Sequence, residues 1–245
     1  MHCVAARVGG AVRYLGGKYR IAKYLAAVVN GARKRGQWVW DPFCGGLSMS
    51  VALSVAGPVW ATDVNASLIA MYRAARSGWD PPSEITPEDY ARAKRLPDSD
   101  PLKAFCGFGC SYGGKWFGGL ARVHASRPNT PPSKSTRAFL RDKLPLVASV
   151  ARLDFMSVAP QPFEDPPVIY CDPPYAGTIG YAGTDAFSRK EFVRRVRAWS
   201  AHTDIFVSEY EFPIGRVVWE RKAPPQVCFR PDAVERLYHV ARGSL

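Results

Sequence analysis

Three short apolar segments of this chain each end in an aspartate, and segments whose apolar residues have helical spacing lie between them. The segment "QWVWD" ends at Asp41, "PVWATD" ends at Asp63 and "VIYCD" ends at Asp172. Strands that alternate with helices predict a mainly parallel, doubly wound α/β sheet. Because the ligands of such sheets bind outside the carboxyl ends of the strands, the three aspartates are expected to converge on one site.

The same pattern locates the first helices. Apolar residues with a helical period follow Lys18, and either Gly31 or Gly36 can end that helix. The segment "LSMSVALSVAG" predicts a second helix that Gly57 closes, and Asn65 can cap the helix that follows the second strand.

The second half of the chain continues the alternation. The segments "LVASVARLDF", "DIFVSEY" and "VERLYHVAR" predict further strands. Between them, "SRKEFVRRVRAWS" predicts a helix that begins with a capping box of Ser188 and Glu191. Phe192, Val196 and Trp199 lie on one face of that helix, which is therefore expected to be buried.

Residues 78–145 differ in composition from the rest of the chain. Prolines cluster in "WDPPSEITPEDY" and "SRPNTPPSKS", and the glycine- and aromatic-rich stretch "GFGCSYGGKWFGG" lies between them. These features predict irregular loops outside the main sheet. The predicted organisation is one domain made of residues 1–77 and 146–245, with an insert at residues 78–145.

Composition excludes several classes of protein. Hydrophobic residues make up 47% of the chain, enough for a sizeable core and too many for a disordered protein. No apolar run reaches the roughly 18 residues that span a bilayer, and the N-terminus lacks the apolar stretch of a secretory signal. The six cysteines have no zinc-like spacing, so we expect a reducing, intracellular setting and no structural metal.

The charge of the chain indicates a nucleic-acid partner. The 33 lysines and arginines exceed the 21 acidic residues, and the formal net charge is +12. Arginine outnumbers lysine, which favours forked contacts to phosphate. An acidic membrane surface and a basic surface that serves only solubility are the alternatives that composition leaves open.

The segment from the first strand to Asp63 is typical of a nucleotide-binding unit. Gly45 and Gly46 allow the backbone to approach a ligand at a helix start. Asp63 follows Gly45 by 18 residues, close to the spacing at which an acid holds ribose hydroxyls. A plain strand-to-helix turn is the alternative. The missing third glycine of G-x-G-x-x-G disfavours a dinucleotide, and Asp63 favours a nucleoside ligand.

Read together, four motifs resemble those of the Dam-like, D12 class family of S-adenosylmethionine-dependent N6-adenine DNA methyltransferases. The motifs are "RYLGGK", "DPFCGGLS", "TDVN" and "DPPY", and their order also resembles that of the family. One departure is Leu47, which stands where the family has the second glycine of F-x-G-x-G. The resemblance implies a class I methyltransferase fold, with the insert as the target-recognition region.

The resemblance also implies the cofactor and its contacts. S-adenosylmethionine would be the cofactor, S-adenosylhomocysteine its product, and no metal is expected. Lys18 would meet the methionine carboxylate, Asp63 the ribose hydroxyls, and Asp154 with Phe155 the adenine. A solvated helix residue and a loop acid are the alternatives for Lys18 and Asp154. The full set of expected cofactor contacts is Tyr14, Gly16, Gly17, Lys18, Asp41, Phe43, Gly45, Gly46, Ser48, Asp63, Asn65, Asp154, Phe155 and Asp172.

The DPPY motif is expected to carry the chemistry. The adenine amino group is a poor nucleophile because its lone pair is delocalised into the ring. The Asp172 carboxylate and the Pro173 carbonyl would accept hydrogen bonds from its two N–H groups. Pro174 fixes the turn, and Tyr175 offers a flat surface to the base. The target base must leave the helix to reach such a pocket.

Contacts to DNA are expected mainly from the insert. Trp116 and Phe117 are equally compatible with a small aromatic core, and the helix arginines Arg194, Arg195 and Arg197 are interpreted as a solvated face. The segment after DPPY, "AGTIGYAGTDAF", is a candidate for closing over the base. The candidate DNA-binding residues are Tyr112, Lys115, Arg127 and Lys134.

These features favour an enzyme that acts on double-stranded DNA in the cytoplasm of a prokaryotic or phage-infected cell. No membrane contact and no obligate protein partner are expected. The alternatives are an rRNA methyltransferase that modifies an exocyclic amine and a catalytically silent nucleic-acid-binding relative. An NAD-dependent oxidoreductase is disfavoured by the glycine pattern and by DPPY.

DNA binding by this chain should weaken steeply as salt is added. The charge of +12 implies several phosphate contacts, and each contributes about 0.9 to the slope of log K against log salt concentration. Fluorescence anisotropy with a labelled duplex measures this slope when salt is raised from about 50 to 300 mM, a range over which exposed charges are increasingly screened. A flat response would show that the basic charge does not serve phosphate binding.

Overall fold

A computed structural model describes residues 12, 14, 16–121, 131–158, 165–175, 187–222 and 233–244. Its strands are β1 (Val39–Asp41), β2 (Val59–Asp63), β3 (Ser149–Arg152), β4 (Val168–Cys171), β5 (Ile205–Glu209), β6 (Arg216–Lys222) and β7 (Val234–Val240). Its α-helices are α1 (Ala22–Ala32), α2 (Ser48–Leu53), α3 (Ala66–Arg76), α4 (Pro87–Ala93), α5 (Pro101–Ala104), α6 (Pro132–Asp142) and α7 (Arg189–Ser200).

The strands form one sheet in the order β3-β2-β1-β4-β5-β7-β6. The strands β3, β2, β1, β4 and β5 are parallel, and β7 runs antiparallel between β5 and β6. The predicted mainly parallel α/β sheet is therefore confirmed. The order reverses between β1 and β4, where Val39 pairs with both Val59 and Val168. Ligands of open parallel sheets bind at this switch point.

Both faces of the sheet are buried, as a doubly wound fold requires. In β4, Val168 and Tyr170 belong to the hydrophobic cluster that includes α1, α2 and α3. Ile169 and Cys171 point to the opposite face and belong to the cluster that includes α7 through Trp199. The alternation has the two-residue period of a strand. Helices on both faces thus cover the strands and leave the strand ends as the accessible edge.

Most predicted boundaries agree with the structure. The side chain of Asn65 accepts a hydrogen bond from the backbone N–H of Leu68 at 2.9 Å and caps α3. Gly57 ends the turn that follows α2 with φ of 151°. The capping box of α7 is wrong in one half: Ser188 accepts from the Glu191 N–H at 3.3 Å. The Glu191 carboxylate instead pairs with Arg194 at 2.7 Å.

The prediction of irregular loops in the insert is wrong for its described part. Helices α4, α5 and α6 lie there, and each begins with a proline, at Pro87, Pro101 and Pro132. Proline suits the first turn of a helix because its missing N–H has no partner there in any case. Buried residues of the insert, among them Phe105 and Phe108, continue the cluster under α1–α3.

The strand β6 was not predicted from the sequence. Its burial alternates little, and both of its ends are exposed. It is an edge strand that pairs with β7 alone, so charged residues occupy positions that a central strand would give to apolar ones. In the part of the chain that the structure describes, no helix has the length and apolar character needed to cross a membrane.

The glycine turn between β1 and α2 is packed against the N-terminal segment. A Cβ atom at Gly46 would lie 2.6 Å from the carbonyl oxygen of Val12 and 3.0 Å from the Tyr14 Cβ. The next residue, Leu47, is fully buried and has φ of 60°, in the left-handed region. Side chains of the protein, as well as the cavity described below, therefore border the turn.

Gly46→Ala should destabilise the fold by about 1–3 kcal/mol, because the new methyl group meets a backbone carbonyl that cannot rotate away. Gly31→Ala is the matched control, since a Cβ there meets nothing within 4 Å. Gly31 lies in α1, so its replacement should stabilise by about 0.5–1 kcal/mol. Urea unfolding of both variants measures the difference. Equal midpoints would contradict the tight packing of Val12 on the turn.

Candidate active site

A cavity of about 260 Å³ opens at the carboxyl ends of β1, β2 and β4. Its walls come from the N-terminal segment, the glycine turn, the first residues after β4 and the residues around the start of α7. Among the residues predicted from the sequence, it brings together Tyr14, Gly16, Gly17, Lys18, Asp41, Phe43, Gly45, Gly46, Ser48, Asp63, Asp154, Phe155, Asp172 and Pro174.

Three of the predicted site residues lie beside the cavity without lining it. Asn65 is occupied as the cap of α3. Pro173 is buried, and the Tyr175 side chain is directed toward β7. Several lining residues were not predicted, including Tyr170 on β4 and three that surround the start of α7, namely Phe187, Ser188 and Glu191.

The carboxylate of Asp63 is held by backbone groups at the end of β2. It accepts hydrogen bonds from the N–H of Gly45 at 3.0 Å and from the N–H of Asn65 at 2.9 Å. Burial raises the pKa of Asp63, and these two hydrogen bonds oppose the rise. The contacts tie the glycine turn to the second strand and fix the acid at the cavity wall.

Asp41 is a buried acid that the protein satisfies only in part. The Ser50 hydroxyl donates to its Oδ2 at 2.6 Å. Its Oδ1 has no hydrogen-bond partner among the described atoms. Burial, followed by the charges of Asp172 and Asp63, raises the pKa of Asp41 to about 7. The cavity therefore contains a carboxyl group with unused acceptor capacity that titrates near neutral pH.

Lys18 supplies the positive charge at this edge of the sheet. Its Nζ lies 2.8 Å from Asp172 Oδ1, and it donates to the Gly16 carbonyl at 3.1 Å. Burial raises the pKa of Asp172, whereas the Lys18 ammonium opposes the rise. Lys18 itself is only 7% exposed. The predicted contact of Lys18 with a methionine carboxylate stays a prediction, since its described charged partners are side chains of the protein.

Tyr175 and Glu235 complete the surroundings of Lys18. The Tyr175 hydroxyl donates to Glu235 Oε1 at 3.2 Å, and Lys18 Nζ lies 4.6 Å from the centre of the Tyr175 ring. The Tyr210 ring contacts that of Tyr175 edge to face at 4.7 Å. Glu235 was not predicted as a site residue. Its segment was recognised only as a strand, because its contact with Tyr175 joins residues that are far apart in sequence.

Part of the cavity wall is aromatic. The Phe43 ring lies 5.1 Å from that of Phe155 and 6.0 Å from that of Phe187. Arg195 donates to the carbonyls of Met156 at 2.5 Å and Val158 at 2.9 Å, which holds the segment that contains Phe155. The interpretation of Arg195 as a solvated residue is therefore wrong, because its side chain donates to these two backbone carbonyls.

Part of this chain matches a known protein family. Residues 14–96 match the model of the D12 class N6 adenine-specific DNA methyltransferase family. The resemblance predicted from the sequence is thus confirmed over a segment that carries Lys18, the glycine turn and Asp63. The DPPY motif lies beyond the matched residues.

Among solved structures, the chain is similar to SMU.472, described as "a putative methyltransferase complexed with SAH". The two share 10% sequence identity with a TM-score of 0.42. The similarity covers 98% of this chain and 56% of that one, so this chain spans little more than half the length of its neighbour. No curated protein matches the sequence.

The three candidate DNA-binding residues that the structure describes, Tyr112, Lys115 and Lys134, do not line the cavity. Tyr112 is 74% exposed at a tight turn, where its N–H donates to the Gly119 carbonyl at 2.9 Å. Lys115 and Lys134 are also exposed, and Arg127 lies outside the described residues. Trp116 packs 4.5 Å from Phe108, and Phe117 packs 4.8 Å from Trp116, which favours the aromatic-core interpretation for both.

The chemistry of the cavity favours a ligand with a positive charge and a flat ring. Asp41 and Asp63 line the cavity together with the rings of Phe43, Phe155 and Phe187. Within the described ranges, no group of three or more His, Cys, Asp or Glu side chains could hold a metal ion.

The stability of the protein should fall as pH rises toward neutrality, because of Asp41. Its pKa is 3.8 unperturbed and about 7 in the folded state, so the folded state binds this proton more tightly. The resulting stabilisation is complete below about pH 4 and is lost as pH rises through about 7. Asp41→Asn should remove this dependence, at about 1.4 kcal/mol per pH unit.

Urea unfolding of wild type and Asp41→Asn at roughly pH 5, 6, 7 and 8 measures the effect. This range covers most of the interval in which the folded and unfolded states differ in protonation of Asp41. Asp98→Asn is the control, because Lys103 and Ser67 lower the pKa of Asp98 and leave it ionised throughout. A constant difference between wild type and Asp41→Asn across this range would contradict the raised pKa of Asp41.

Proposed function

We propose that this protein transfers a methyl group from S-adenosylmethionine to N6 of adenine in DNA. The observation that carries the proposal is that Asp172, the first residue of DPPY, lines the same cavity as Asp41 and Asp63. A candidate amine acceptor and a candidate nucleoside site therefore share one space. The family match over residues 14–96 supports the same reaction class.

The walls of the cavity fit S-adenosylmethionine by their chemistry. Asp41 Oδ1 lacks a partner among the described atoms and can accept a hydrogen bond from an ammonium group. Asp63 would hold ribose hydroxyls, and Asp154 with Phe155 would hold the adenine ring. When bound, the cofactor supplies an electrophilic methyl group on a sulfonium centre.

The residues of DPPY would prepare the adenine for attack. Asp172 and the Pro173 carbonyl would accept hydrogen bonds from the two N–H groups of the amine. These contacts would reduce the delocalisation of its lone pair into the ring. Pro174 restricts the backbone at this point, and Tyr175 provides an aromatic surface. No covalent intermediate is needed, so catalysis would rest on positioning and electrostatic stabilisation.

The charge distribution supports DNA as the substrate. The net charge is +12, and the exposed Tyr112 and Lys115 lie on a turn of the insert that could meet a distorted duplex. The adenine would have to be flipped out of the helix to reach Asp172. Action on DNA within a prokaryotic or phage-infected cell, and residues 78–145 as the recognition region, belong to the same proposal.

Asp172→Ala should lower kcat for DNA methylation by about a hundredfold or more, because it removes an acceptor that acts in the transition state. Its affinity for S-adenosylmethionine should stay within a few-fold of wild type. Asp63→Ala should do the reverse and mainly weaken cofactor binding. Transfer of tritiated methyl groups to duplex DNA and titration calorimetry with the cofactor separate the two effects.

The same assay with naked rRNA distinguishes the nearest alternative. Methyl transfer to rRNA but not to DNA would replace the proposed substrate, and cofactor binding without transfer to either would favour a silent relative. Near-normal turnover by Asp172→Ala would refute the role of Asp172. Unchanged cofactor affinity in Asp63→Ala would refute the ribose contact.

A further inference from the structure

Glu235 links two parts of the site that are far apart in sequence. Its Oε1 accepts a hydrogen bond from the Tyr175 hydroxyl at 3.2 Å and lies 3.4 Å from Lys18 Nζ. Lys18 in turn lies 2.8 Å from Asp172 Oδ1. A single carboxylate on β7 therefore contacts the lysine of the N-terminal motif and the tyrosine of DPPY.

The sheet topology places Glu235 at this edge. Because β7 runs antiparallel to β5, its N-terminal end lies beside the carboxyl end of β5. Arg236 pairs with Glu209 there, and Cys171 at the end of β4 pairs with Val207 of β5. Glu235 thus reaches the same edge as Asp172 from the opposite chain direction.

A second carboxylate at this position has a cost. Glu235 is 18% exposed and Asp172 is 19% exposed, and both share the ammonium group of Lys18. Among the described residues, two partly buried carboxylates share this one ammonium group, and the excess negative charge is unfavourable away from water. Glu209 also faces this region, but Arg189 compensates it at 2.8 Å. Stability alone would be served better by a neutral residue at position 235.

We propose that Glu235 is a positioning residue that holds the Tyr175 ring and the Lys18 ammonium in register with Asp172 at the target-base end of the site. The proposal rests on the proposed function. Glu235 holds the hydroxyl group of Tyr175 through a hydrogen bond. It also forms an ion pair with the Lys18 ammonium, which pairs with Asp172 as well. Because Lys18 is shared between two carboxylates, the charge of the acceptor for the adenine amine is not fully neutralised by the ammonium.

Removal of the carboxylate should lower turnover and leave cofactor binding intact. In Glu235→Ala, Tyr175 and Lys18 both lose a charged partner, and kcat should fall about tenfold to a hundredfold. In Glu235→Gln, the amide oxygen can still accept from both groups, so activity should largely be retained. The affinity for S-adenosylmethionine should stay within a few-fold of wild type in both variants.

The pH profile gives a readout that a merely structural role would not move. The charge of Glu235 raises the pKa of Asp172, whereas Lys18 and the Tyr175 hydroxyl lower it. If methylation needs ionised Asp172, the acidic limb of kcat/KM should move to lower pH in Glu235→Gln. The other described groups that face Asp172, which are Asp41, Tyr170, Cys171 and Glu209, remain unchanged in this variant.

The matched control is Glu220→Gln, which removes an acid from β6 that is 60% exposed and pairs with Arg236 at 3.3 Å. It should alter neither kcat nor the pH profile. A Glu235→Ala variant with wild-type kcat, or a Glu235→Gln variant with an unmoved acidic limb, overturns the positioning role while the methylation function stands. A wild-type protein that methylates no DNA overturns the proposed function, and this inference with it.

Discussion

Parallel pairing of β1 with β2 and β4 brings three carboxylates to one edge of the sheet. The surrounding residues of the site compensate the cost of burying these charges. Asp41, Asp63 and Asp172 are each largely buried. Each raises the free energy of folding unless hydrogen bonds or opposite charge compensate it. Backbone N–H groups compensate Asp63, Ser50 partly compensates Asp41, and Lys18 compensates Asp172. Asp41 Oδ1 has no hydrogen-bond partner among the described atoms, and this favours a ligand with a positive charge.

This compensation connects segments that are distant in sequence. Lys18 comes from the segment before α1, whereas Glu235 comes from the last strand, and both meet at DPPY. The aromatic part of the cavity wall also depends on a distant segment, because Arg195 on α7 holds the carbonyls of Met156 and Val158. The site is therefore assembled by the whole sheet, although its recognisable motifs are short and local.

Features that depend on local sequence were predictable. Strand ends at Asp41 and Asp63, the cap at Asn65 and the closing glycine at position 57 follow from periodicity and from backbone preferences. The helices of the insert were missed because a proline at the first helical position resembles a proline in a loop. Glu235 and Arg195 were missed for another reason: their contacts span 60 and 37 residues, respectively, and no local pattern encodes such a pairing.

We propose that the DPPY carboxylate and the nucleoside-type cavity form one adenine methylation site. Long-read mapping of modified bases tests it most directly, with DNA from cells that lack other adenine methylases and express either wild type or Asp172→Ala. Cells with the wild type should contain N6-methyladenine in recurring sequence contexts, and cells with the variant should lack it. Absence of modified adenine with well-expressed wild type, or the same modification pattern with Asp172→Ala, would contradict it.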